Sequence, residues 1–146
     1  MSGLLYLLAF GAGVVLIVQV GLNNTVRGAL DSPLSAALVS FLVGSLTLAA
    51  LLLATRTAWP LRAQWQAVPA WAWFGGVLGV YYIVSSIIAG PRLGAAVLLA
   101  LIVLGQLLTS LLVDHYGWLG FPRHPLTVWR AGGAVLLFLG VLLISR

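Results

Sequence analysis

Three features of this sequence predict an all-α membrane protein built from five transmembrane helices. Apolar residues make up 62% of the chain and charged residues only 6%, where a soluble domain carries roughly 25% charged residues. The mean hydropathy is +1.16, so no polar shell is available to face water. The apolar residues also come in continuous Leu/Val/Ala blocks of about 20, the length of helix that crosses a hydrocarbon core of about 30 Å. A transmembrane barrel would instead alternate over strands of about 10 residues. With 146 residues, the chain has room for one bundle, a single domain over 1–146, and no second domain.

The first block, 3–22, lies within MSGLLYLLAFGAGVVLIVQVGLNN. It has no basic n-region and no small-residue cleavage site, and it is too long for a signal peptide, so it reads as a retained span. Asp31 and Ser32 stand ahead of Pro33, a start signal for a second helix over 34–54. The segment TRTAWPLRAQWQAVPAWAW (55–73) holds two arginines, two prolines and four tryptophans, the make-up of an interfacial belt. A third helix is expected over 70–89, then a tight turn in AGPRLG (89–94), and a fourth helix over 93–113. HYGWLGFPRHPLTVW (115–129) is the longest loop, with Trp118 and Trp129 as candidate interfacial anchors, and a fifth helix follows over 128–145.

The net charge of +5 does not indicate nucleic acid. All seven basic residues are arginines, scattered singly between apolar blocks, with no basic stripe to follow a phosphate backbone. Anionic lipid headgroups suit that distribution better. Five spans put the termini on opposite faces. Arg56, Arg62, Arg123 and Arg130 then share the N-terminal side, and Arg27, Arg92 and Arg146 the other. Four against three is almost no positive-inside bias. Such a chain can insert in both orientations and pair as an inverted repeat. The alternative is one orientation, set by the N-terminal amine with Arg56 and Arg62. With no cysteine, disulfides and thiolate metal sites are excluded.

The polar residues inside the apolar blocks are the candidates for function. Gln106, Ser110 and Asp114 stand four apart and so share one helical face. At membrane depth such groups face a bundle interior or a water-filled cavity, either as a solute path or as interhelical hydrogen bonds. Asp114, within a turn of the helix end, would be repelled by the helix C-terminus and calls for a counter-charge. Arg123 and Arg130 are the candidates, with His115 a further one. The carboxylate is expected either to clamp the loop or to couple a proton. Gln19 and Asn23, with Asn24 beside them, offer amide donors and acceptors that do not change charge near neutral pH, which suits a polar neutral or zwitterionic solute or a helix–helix bond. Tyr81–Ser85 and Tyr82–Ser86 form two adjacent lines. Tyr82 and Ser86 are expected to line a cavity in which an aromatic face can meet an organic cation. Among the glycines, Gly75-x-x-x-Gly79 has close-approach spacing, and Gly133 and Gly140 lie on one face of the last helix, where small residues let two helices meet in lipid.

QVGLNN late in the first span, GQLLTSLLVDHYGWLG through the fourth and PLTVWRAGGAVLLFLGVLLI in the last together resemble the YdcZ-like family of five-helix proteins in the drug/metabolite transporter superfamily. The likeness runs nearly the whole chain. It implies half of a ten-helix inverted-repeat transporter fold, since larger relatives carry two inverted five-helix halves, and therefore a dimer. It also implies a dimer seam on the terminal helix, at Gly133 and Gly140. It implies no substrate.

No acid–base pair sits at mid-membrane and no catalytic motif has a supporting context, so the chain is not expected to be an enzyme or to need a cofactor or metal. The sequence contains no Glu, so it lacks a mid-membrane glutamate for proton-driven cation export. The reading reached is a multi-pass protein of a prokaryotic cell (inner) membrane. It is expected to transport a small organic molecule by alternating access as a homodimer, or as a pair with a close paralogue. Gln19, Asn23, Tyr82, Ser86, Gln106 and Ser110 are expected to contact solute, with Asp114, His115 and Arg130 structural or coupling. A non-transporting membrane subunit that uses the same amides and glycines to hold a partner is the alternative.

Overall fold

The computed structural model describes residues 2–146, and these contain helices and connections but no strand. The helices are α1 (Ser2–Leu30), α2 (Pro33–Ala54), the short α3 (Arg62–Gln66), α4 (Phe74–Leu93), α5 (Ala95–Tyr116) and α6 (Val128–Ile144), with a 3-10 turn at Ala70–Trp73 ahead of α4. Four helical stretches are long and apolar enough to cross a membrane, and α6 is a shorter apolar helix of 17 residues. The chain is an all-α membrane protein. It divides into two compact units, one ending at Pro91 and the other starting at Arg92.

In the first unit, α1 has 29 residues, about 44 Å at 1.5 Å per residue, and outlasts the hydrocarbon core. It runs through Asn23, Asn24 and Thr25, where the apolar pattern breaks, because none of these forbids a helix. Thr25 Oγ1 donates back to the Gly21 carbonyl at 3.1 Å, and no proline occurs before Pro33. Arg27 lies in the last turn, where a cation suits the helix dipole. Asp31 then takes φ 49°, a left-handed conformation that short polar side chains tolerate. Ser32 caps α2 by accepting from the Ser35 N–H at 3.2 Å, with Pro33 in the first turn.

The core of this unit is small: Ala36, Ala37 and Ile87, with Val26, Ile83 and Val84 packed against it. Two alanines on α2 let a neighbouring helix come close, as lipid-embedded packing requires. Of the pair Gly75 and Gly79, only Gly79 meets a neighbour, the Phe41 ring, 3.4 Å from where a Cβ would lie. The expected turn at 89–94 is shorter than its sequence suggested. Pro91 lies inside α4, and Gly94, at φ 79°, makes the break before α5. A proline this close to a helix end removes only one N–H bond, and membrane helices accommodate that.

In the second unit, α5 and α6 pack against each other. α5 continues to Tyr116, which brings Asp114 and His115 into its last turn, and Gly117 ends it in the left-handed conformation at φ 69°. A Cβ on Gly117 would lie 3.3 Å from the Arg123 Cβ, so both the backbone and the returning loop call for glycine here. Thr127 caps α6, its hydroxyl accepting from the Arg130 N–H at 3.3 Å.

Candidate transport site

The four-residue spacing on α5 puts three of the candidate residues on one face. Gln106, Ser110 and Asp114 line one open groove of about 360 Å³ together with Thr109, Val113, Leu119 and Phe121. Gln106, Thr109 and Ser110 are exposed on the helix surface, and the loop residues Leu119 and Phe121 form the apolar end. The groove therefore offers an amide and two hydroxyls along roughly two turns, ending at a carboxylate. Thr109 belongs to it as much as Ser110 does, and its place three residues from Gln106 was the available signal.

That carboxylate is paired. Arg130 of α6 forms a partly buried salt bridge with Asp114, donating from Nη2 to Oδ2. The same guanidinium donates from Nη1 to the His124 carbonyl at 2.8 Å. Of the two candidate counter-charges, Arg130 takes the carboxylate, while Arg123 donates through Nε to the His115 carbonyl at 3.1 Å. The loop is fixed further by the His124 N–H, which donates to the Asp114 carbonyl at 2.7 Å. His115 is not the partner of Asp114: its Nδ1 accepts from the Leu126 N–H at 3.0 Å. An imidazole leaving the last turn of α5 meets the returning backbone before it can meet a carboxylate one residue earlier. Carbonyls that a helix C-terminus leaves without partners are thus taken up by the loop that follows.

In the first unit, α4 turns one of its two tyrosine lines inward. Tyr81 is 74% exposed, whereas Ser86 is 3% exposed and the Tyr82 hydroxyl is buried without a hydrogen-bond partner. Ser86 donates to the Tyr82 carbonyl at 2.8 Å, a bond within its own helix that leaves the phenol free. On α1, Asn23 is 8% exposed, Gln19 is half-buried, and Asn24 holds a buried Oδ1 with no partner. Asn24 carries an unmet acceptor that the spacing of Gln19 and Asn23 did not single out. Its adjacency to Asn23 was the only sequence signal. On α6, a Cβ at Gly133 or Gly140 would meet nothing within 4 Å among the described residues.

Comparison with known proteins decides the class. Residues 4–143 match the family described as "Putative inner membrane exporter, YdcZ". The chain belongs to this family. It is 29% identical over 135 residues to the inner membrane protein YdcZ of Escherichia coli (strain K12), covering 92% of this chain and 90% of that protein. No solved structure matches the chain. Family membership, with the apolar helices described above, makes this a multi-pass protein of the cell inner membrane and, at that level, a membrane transporter.

Proposed function

We infer that the chain is one half of a transporter for small organic molecules, pairing antiparallel with a second copy and moving its solute by alternating access. One observation carries this reading: a groove lined by Gln106, Thr109, Ser110 and Asp114 opens along a helix apolar enough to span a membrane. Dipoles on an open wall at that depth need a facing surface or water, and a second copy supplies both by closing a conduit. With Asp114 neutralised by Arg130, the wall presents mainly uncharged hydrogen-bonding groups, which suits a polar neutral or zwitterionic solute. Within the first unit taken by itself, Tyr82, with its unpartnered buried hydroxyl, and Ser86, Asn23 and Gln19 are the residues proposed to contact solute. Gly133 and Gly140 supply the seam, and export is the direction in the family's description.

The test begins with a thermal-shift screen, since a ligand of the folded state stabilises it by mass action. Flux of any hit is then measured for Gln106→Leu and Tyr82→Phe. A transporter loses flux while the dimer persists in cross-linking. Loss of assembly before flux would instead favour a subunit that only holds a partner. Reporters fused after Arg146 should be active on both membrane faces, and activity on one face alone would remove the antiparallel arrangement.

A further inference from the structure

The C-terminal half of α2 carries a second, quite different groove. Ser45, Leu48, Ala49, Leu52 and Leu53 recur at spacings of three and four and, with Thr57 and Trp59, line an open, mostly apolar groove of about 530 Å³. The face from 45 to 53 is about 12 Å long at 1.5 Å per residue. Thr57 and Trp59 join the groove because the chain doubles back. Arg56 adopts φ 51°, and the Thr57 N–H returns to the Leu52 carbonyl at 3.1 Å, which brings Trp59 over the helix it has just left.

The connection that supplies Thr57 and Trp59 is aromatic and cationic. Trp59 and Trp65 have ring centroids 6.1 Å apart, and Trp65 stacks on Trp73 at 5.6 Å. Tryptophans of this kind mark the headgroup level of a bilayer. Arg56 and Arg62 are exposed in the same connection, which contains no acidic residue between 55 and 73. The shape therefore has an apolar trough at hydrocarbon depth and positive charge with indoles at the interface. The groove runs along a face of about 12 Å, a length that suits part of one acyl chain. Guanidinium groups pair with phosphate through parallel hydrogen bonds.

We propose that this groove is a binding site for one anionic phospholipid, with an acyl chain along Ser45–Leu53 under Trp59 and the phosphate held by Arg56 and Arg62. The site shares no lining residue with the α5 groove and does not rest on the transport mechanism.

The test uses the full chain in nanodiscs doped with a phosphatidylglycerol that carries a photoreactive group mid-way along one acyl chain, and a matched phosphatidylcholine probe. Mapped cross-links should concentrate on peptides spanning 45–59 with the anionic probe and be weaker there with the zwitterionic one, by about fivefold for each arginine engaged. Arg56→Gln with Arg62→Gln should bring the anionic signal down to the zwitterionic level. Ala49→Leu should reduce labelling of this segment by both probes, with labelling of α6 as the internal control that the chain remains folded. Cross-links spread over all helices in proportion to their lipid exposure would overturn the site. So would anionic labelling that survives loss of both arginines.

Discussion

The two long connections of this chain, 55–73 after α2 and 117–127 after α5, are held in opposite ways. In the second, bonds reach across the sequence: Arg123 to the His115 carbonyl, Leu126 to the His115 ring, His124 to the Asp114 carbonyl and Arg130 to the Asp114 carboxylate. In the first, hydrogen bonds stay local, such as Arg56 N–H to Leu53 O, Thr57 N–H to Leu52 O and the Leu61 N–H to Gln64 Oε1 at 2.7 Å. Its longer reach comes from Trp65, which stacks on Trp73 and meets the Trp59 ring at a tilt. The cause is the helix each connection follows. α2 ends on Thr55, whose hydroxyl turns back to the Leu51 carbonyl at 2.7 Å, with no charge to neutralise. α5 ends on a carboxylate that its own dipole disfavours. A polar clamp depends on each partner being present, whereas an indole belt depends on having a bilayer to sit in.

The largest effect should come from breaking the clamp. Arg130→Leu leaves Asp114 without its counter-charge and the His124 carbonyl without its donor. A loss of about 2–3 kcal/mol is expected, below the full cost of a deeply buried pair because both side chains keep some solvent access. Asp114→Asn should cost less. In thermal unfolding at fixed lipid composition, the double variant should fall short of the sum of the two singles. Additive losses would mean that the pair is incidental.

Gly117→Ala comes next. A positive φ costs a non-glycine residue about 1–2 kcal/mol, and the added methyl presses on Arg123, so the melting temperature should drop without loss of the ion pair's coupling. The smallest effect belongs to the belt. Trp65→Ala removes one stacked and one tilted contact between exposed rings, which at the low end for aromatic pairs amounts to about 1 kcal/mol in all. Because the belt relies on an interface, the loss should be larger in nanodiscs than in detergent micelles. An equal or larger loss in detergent would show that the stack holds the connection by itself, and the contrast between the two segments would fail.

Much of this was legible in the letters. The apolar blocks anticipate where helices form, Ser32 acts as the cap that its position ahead of Pro33 suggests, and residues four apart on α5 line a single groove. The departures have local causes. α1 runs on to Leu30 because amides and a threonine interrupt hydropathy without interrupting hydrogen bonding. Pro91 is absorbed because it stands near a helix end. The short α3 escapes a hydropathy reading because five residues of Arg, Ala, Gln and Trp carry no apolar run.

Residence in lipid, the helical class and the shared face of Gln106, Ser110 and Asp114 follow from composition and from the 100° step between residues in a helix. The partner of Asp114 and the use of His115 to hold Leu126 were decided only in the folded chain. Directions within one helix are set by its own geometry and can be counted off a sequence. Which group meets which across two elements depends on packing and loop paths that no spacing encodes, so the choice between Arg123 and Arg130 was settled only when α5, its loop and α6 came together.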